Sequence, residues 1–192
     1  ELCGIDHPIA GGIFAKEIKS SPSTFELEKY HGLGLEFEIA VTLSKELNLE
    51  MGMFDQNNIK QYIKCLSPAF ELIIDRDADY SNIDALTMIA DNAWCSGIVI
   101  GDALPNWQDL ELTTLTSKLY WNNETPHDAM INDANPLVSL SWVANLLVAQ
   151  GKTIPAESVI ITGSVIKTRA PLIGDKIIYD VGGLSKVEIN II

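Results

Sequence analysis

The chain has 192 residues, with 26 Asp and Glu against 13 Lys and Arg and a formal net charge of -13. At 47% hydrophobic and 20% charged it is too apolar for intrinsic disorder, and it is long enough to bury the core of one domain without disulfide staples. The acidic balance excludes a phosphate-backbone binder, since no cluster of Lys and Arg offsets it locally, and no apolar run approaches the roughly 18 residues of a membrane span.

Three cysteines, Cys3, Cys65 and Cys95, are odd in number and widely spaced, as expected of reduced thiols in a cytoplasmic protein. The Asn123-Glu124-Thr125 sequon has no secretory segment before it and reads as a chance match. Glu1 opens the chain without an initiator Met in what reads as mid-domain sequence, so an upstream segment is expected.

In chain order, residues 35–43 alternate strictly, with Leu35, Phe37, Ile39, Val41 and Leu43 apolar, which predicts a half-buried strand. A short helix is expected over 59–65, and strands over 70–74, 97–100 and 110–118. Residues 135–150 carry an Asn135 cap, Pro136 in the first turn and Gly151 at the end, and predict a helix. Its apolar stripe, Leu137, Leu140, Val143, Ala144, Leu147 and Val148, would lie on a sheet. Strands over 158–162 and 176–181 follow, and the latter forms a hairpin through Gly182-Gly183 with 185–192. Strands outnumber helices without βαβα alternation, so the fold class is α+β, a strand-rich mixed sheet with a few flanking helices in a single domain.

Glu36 and Glu38 are two apart on one strand, so both carboxylates leave the same face with Cα atoms about 6.5–7 Å apart. Glu71 interrupts another apolar strand, Ala69-Phe70-Glu71-Leu72-Ile73-Ile74, where an isolated charge costs several kcal/mol unless it is paired or metal-bound. Three glutamates on neighbouring strands suit Mg²⁺ or Mn²⁺, which prefer oxygen ligands. Zinc is disfavoured because His7, His31 and His127 are scattered. Residues 91–97 and Thr162-Gly163-Ser164 are small, polar stretches beside strands, where a loop could approach a ligand.

Taken in order, these pieces extend from Gly4-Ile5-Asp6-His7-Pro8 through Leu35-Glu36-Phe37-Glu38-Ile39-Ala40 to Pro68-Ala69-Phe70-Glu71-Leu72-Ile73-Ile74-Asp75-Arg76. Ala90-Asp91-Asn92-Ala93, Asn135-Pro136-Leu137, Trp142-Val143-Ala144-Asn145, Ile161-Thr162-Gly163 and Gly174-Asp175 complete the series. Together they resemble the fumarylacetoacetate hydrolase superfamily, in particular its 2-hydroxypenta-2,4-dienoate hydratase and 4-oxalocrotonate decarboxylase branch, and the resemblance spans essentially the whole chain.

The resemblance implies a β-roll fold, a homo-oligomer and a divalent metal held by Glu36, Glu38 and Glu71. Glu rather than Asp at position 71 matches the hydratases and decarboxylases. It further implies a metal-bound 2-oxo acid substrate, with hydration, decarboxylation or mere ligand binding left open. Asp6 is the candidate proton relay, and Ser96 the candidate for a family serine where Trp94 and Cys95 intervene. Asn92, Trp94, Thr162, Gly163 and Lys167 are the candidate substrate contacts, with Arg169 as an alternative cation. The family's active-site lysine would lie upstream of Glu1.

Overall fold

The computed structural model describes residues 5–192, so Cys3 and Gly4 lie outside the described residues. Among these, the strands are β1 (Ile18–Ser20), β2 (Ser23–Phe25), β3 (Leu33–Leu43), β4 (Ile63–Ile74), β5 (Cys95–Ile100), β6 (Thr116–Trp121), β7 (His127–Met130), β8 (Val159–Ile161), β9 (Lys176–Val181) and β10 (Lys186–Ile191). Two α-helices join them, α1 (Ala85–Ala90) and α2 (Pro136–Ala149), with short 3₁₀ turns between. One sheet has the order β1-β5-β4-β3-β8 and the other β2-β10-β9-β6-β7. β1 runs parallel to β5 and β2 parallel to β10, while the other pairs are antiparallel. This is the strand-rich, mixed α+β class expected from the sequence.

The alternation in β3 decides how the sheets stack. Leu35, Phe37, Ile39, Val41 and Leu43 join Phe70 and Leu72 of β4 in a core shared with Ile177, Tyr179, Val187 and Ile189 of the second sheet. Phe37, Phe70 and Tyr179 meet edge-on or tilted, with ring centroids 5.7 to 6.2 Å apart. The opposite face of β3, which carries Glu36 and Glu38, is not open to water as a half-buried strand would be. Residues 162–169 run along β3, exchanging backbone hydrogen bonds between Leu35 and Arg169 and from Val165 to Phe37, and Glu38 is only 2% exposed.

Several sequence expectations need correction. The helix over 59–65 is a 3₁₀ turn, Ile59–Tyr62, after which the chain enters β4 because Ile63 and Cys65 pair with Leu43 and Thr42. The strand over 110–118 begins only at Thr116. Glu111 holds the preceding residues in a turn by accepting hydrogen bonds from the Thr113 amide and hydroxyl. Helix α2 stands where expected, with Leu140, Ala144 and Val148 in the core. Asn135, however, sits left-handed at φ 46 and its side chain caps nothing. The hairpin at Gly182-Gly183 is present, with Lys186 opposite Asp180.

Asn145 on α2 fastens the 52–58 loop: its amide donates to the Phe54 carbonyl at 2.8 Å and accepts from the Phe54 amide at 2.9 Å. Both Phe54 backbone groups lose their partner in Asn145→Ala, which is expected to cost about 1–3 kcal/mol. A urea-unfolding midpoint indistinguishable from that of the parent chain would show that water replaces the amide without penalty.

Candidate metal centre

β3 and β4 form a long antiparallel ladder in which Glu36 lies directly opposite Glu71 and Glu38 opposite Ala69. Period-two alternation therefore puts all three glutamates on one face, away from the aromatic core. One carboxylate oxygen from each lies within 4.8 Å of the other two, and no other such His/Cys/Asp/Glu group occurs among the described residues. Like charges directly opposite in a sheet are destabilising. No ion pair among the described residues reaches any of the three.

Two neighbours orient the carboxylates. The Gly163 amide donates to Glu38 Oε2 at 2.6 Å, and the Thr168 hydroxyl donates to Glu36 Oε1 at 2.6 Å. Gly163 reaches Glu38 with φ +100, a backbone conformation that suits only glycine comfortably. Thr162, 3% exposed, secures the approach by donating its hydroxyl to the Ile39 carbonyl.

Burial and then the Glu71 charge push Glu38 well above the ordinary carboxylate range, although the Gly163 amide pulls it down. Burial raises Glu71 to about 7; the nearby Cys95 thiol opposes the shift, and the Glu36 charge adds to it. Without a cation, the cluster therefore holds protons near neutral pH. An all-oxygen donor set with three negative charges and no internal counter-ion fits a hard divalent cation.

The remaining sequence candidates divide into several groups. Asn92 does not offer its amide to a ligand: it accepts from Gly12 N at 2.7 Å and donates to the Gly12 carbonyl at 2.8 Å. Asn92, Ala93 and Trp94 all have positive φ, a strained turn that feeds the chain into β5. Trp94 is buried, with its ring edge-on to Tyr80 at 5.4 Å, and the Tyr80 hydroxyl donates to Asp75.

Cys95, rather than Ser96, lies on the face of the sheet that carries Glu71, because the register between β4 and β5 shifts there. Asp6 is exposed and makes no hydrogen bond to the glutamates. Lys167 is exposed, whereas Arg169 is committed to Glu124 at 3.0 Å and to the Trp121 ring. Sequence reasoning missed Cys95 and Thr168. Thr168 adjoins the cationic loop residues but is uncharged, and Cys95 adjoins the serine that drew attention instead. A cavity of about 510 Å³, lined by Lys60, Ile63, Trp107, Glu111 and Asn135, lies at the opposite end of β4.

The fold is shared with solved structures that include a putative fumarylacetoacetate hydrolase family protein from Yersinia pestis CO92, with a TM-score of 0.65 at 16% identity, over 92% of this chain and 78% of that one. A solved 4-oxalocrotonate decarboxylase from Pseudomonas putida G7, complexed with magnesium and adipate, superposes with a TM-score of 0.89 at 24% identity, over 99% of this chain and 72% of that one. Fumarylpyruvate hydrolase from Pseudomonas aeruginosa, in complex with Mn²⁺ and pyruvate, superposes with a TM-score of 0.63 at 13% identity, over 91% of this chain and 73% of that one.

In sequence the chain is similar to proteins named 4-oxalocrotonate decarboxylase and 2-keto-4-pentenoate hydratase. It is 32% identical over 127 residues to a 4-oxalocrotonate decarboxylase of Pseudomonas putida, covering 63% of this chain and 46% of that protein. It is 26% identical over 188 residues to a 2-keto-4-pentenoate hydratase of Paraburkholderia xenovorans, covering 96% of this chain and 68% of that protein. The chain thus spans about half the length of the curated decarboxylases it matches. No family model matches it.

Proposed function

We propose that the protein is a divalent-metal-dependent hydro-lyase of short 2-hydroxy-dienoic (2-oxo) acids, converting 2-hydroxypenta-2,4-dienoate to 4-hydroxy-2-oxopentanoate. The observation that carries this reading is the convergence of Glu36, Glu38 and Glu71 on one point without a counter-ion. Relatives named as hydratases span nearly the whole chain and support the reaction type. Magnesium and manganese in two structural neighbours support Mg²⁺ or Mn²⁺ as the ion.

When bound, the cation supplies positive charge for an anionic 2-oxo acid and for the negative charge that develops on its oxo oxygen. The chain's own groups do the rest. Gly163 and Thr168 fix the Glu38 and Glu36 carboxylates, with Thr162 anchoring the loop that carries both. Trp94, packed edge-on against Tyr80, is the candidate apolar contact for the substrate. Lys167, exposed on the same loop as Thr168, meets a substrate carboxylate. Asp6 is the proton relay on the strength of the resemblance alone, and Ser96, turned from Glu71 by the register shift, is a secondary candidate. The enzyme is cytoplasmic and homo-oligomeric in this reading; among the described residues no helix is long and apolar enough to cross a membrane.

The decarboxylase alternative has its own support, since the 32% identity is to that enzyme. The test offers 2-hydroxypenta-2,4-dienoate and 4-oxalocrotonate in turn, with Mg²⁺, Mn²⁺ or a chelator, to this chain and to any longer form that includes an upstream segment. Metal-dependent appearance of 4-hydroxy-2-oxopentanoate from the dienoate is the expected result. Release of CO₂ from 4-oxalocrotonate without hydration would replace the reading by the decarboxylase, and tight metal binding without turnover by either form would make the chain a non-catalytic homologue.

A further inference from the structure

We propose that the Cys95 thiol is a positioning residue for Glu71, holding its carboxylate in the orientation in which it joins Glu36 and Glu38 on a divalent cation. The proposal rests on the three-glutamate reading of the site. Its basis is a register shift. In the β4–β5 ladder Ala69 faces Ile100, Phe70 faces Val99 and Glu71 faces Ile98, so an unbroken ladder would set Ser96 opposite Ile73. Instead Ile73 faces Cys95. One additional residue is accommodated in β5, and the bulge brings the cysteine to the face that Glu71 occupies.

The bulge is held in place by a close approach. Gly97 has φ +128, and a Cβ there would lie 2.7 Å from the Glu17 carbonyl, so the chain can take this path only with glycine at that position. Cys95 thereby shares a face with Glu71, opposite Ile73 two residues further along β4 and within reach of the long glutamate side chain. A thiol is protonated at neutral pH in ordinary surroundings and has one proton to give. The sulfur also falls outside the 4.8 Å group formed by the three carboxylates, so it supports a ligand rather than being one.

Groups that hydrogen-bond a metal ligand fix its orientation, and removing one typically costs roughly 10–100-fold in metal affinity. The thiol is a weak donor, which places Cys95 near the lower end of that range. Serine keeps a donor at the same point, whereas alanine removes it.

The experiment is a Mn²⁺ titration of the purified chain and of its Cys95→Ala, Cys95→Ser and Glu71→Ala variants. Free Mn²⁺ is read by electron paramagnetic resonance, and folding of each variant is checked by circular dichroism in chelator. The expected result is a weakening of roughly tenfold in Cys95→Ala and near-parental affinity in Cys95→Ser. Parental affinity in Cys95→Ala overturns the proposal, as does an affinity in Cys95→Ser as poor as in Cys95→Ala. A sulfur-to-cobalt charge-transfer band in the Co²⁺-loaded parent also overturns it, because the sulfur would then be a ligand itself. Failure of the underlying glutamate reading looks different: the parent would bind no Mn²⁺, or would bind it no better than Glu71→Ala.

Discussion

Glu71→Ala is expected to weaken Mg²⁺ and Mn²⁺ binding by roughly 100-fold or more while leaving the metal-free fold at least as stable as before. The first half follows from ligand charge count. Glu71 is one of three carboxylates that converge, and it faces Glu36 directly across the ladder, so its removal takes a full negative charge from the centre of the group. The second half follows from repulsion. Glu71 is 9% exposed among like charges, and truncating it removes an unfavourable burial together with its interaction with Glu36 and Glu38. Isothermal titration with Mn²⁺, paired with thermal melts in chelator, measures both. Affinity within a few-fold of the parent would remove Glu71 from the site. A large loss of metal-free stability would make it a structural residue instead of a ligand.

This pairing of glutamates was half legible in the sequence. Strict alternation over residues 35–43 is enough to put Glu36 and Glu38 on one face, and Glu71 stands out as a charge in an apolar run. What the sequence does not contain is the inter-strand register, which sets Glu36 rather than Glu38 opposite Glu71. β4 was recognisable only from Phe70 onward. Its first half contains Pro68, a residue that argues against a central strand because it cannot donate to the ladder, yet Pro68 pairs with Ile39 there. Cys95 was hidden for a related reason. Facing is read by counting in twos, and the bulge in β5 shifts that count by one, substituting Cys95 for Ser96 beside Glu71. Thr168 was hidden because its contact depends on the path of a loop, which no periodicity encodes.

In chelator, the protein is expected to lose stability as pH rises from 4.5 to above 7, and saturating Mg²⁺ is expected to reverse that slope. The Glu71 carboxyl has its folded-state pKa raised from 4.5 to about 7, chiefly by burial. A carboxyl shifted upward binds its proton more tightly in the folded chain than in the unfolded one. Its favourable contribution is therefore complete below the unfolded value and disappears as pH climbs through the folded one. Glu38 is displaced in the same direction and adds to the slope. The shift at Glu71 alone corresponds to on the order of 3 kcal/mol. For a chain of this length that is a fall in Tm of roughly 5–10 °C.

Asp55, Asp79, Asp84 and Glu111 are displaced downward, so their contributions are lost only as pH falls through the acid range and do not enter this window. His31, raised by its hydrogen bond to Asp77, acts in the same direction as Glu71 but is fully exposed. The profile of His31→Asn should therefore keep most of the slope, whereas that of Glu71→Gln should flatten. Cation binding requires deprotonated ligands, so Mg²⁺ affinity rises over the same pH interval and stabilises the folded state increasingly. A flat profile in chelator would show that the cluster's carboxyls are not displaced upward, and a slope that survives Glu71→Gln and vanishes in His31→Asn would assign the linkage to the surface ion pair. The opposite outcome makes the cluster a site whose three charges are tolerated at neutral pH because a cation takes the place of its protons.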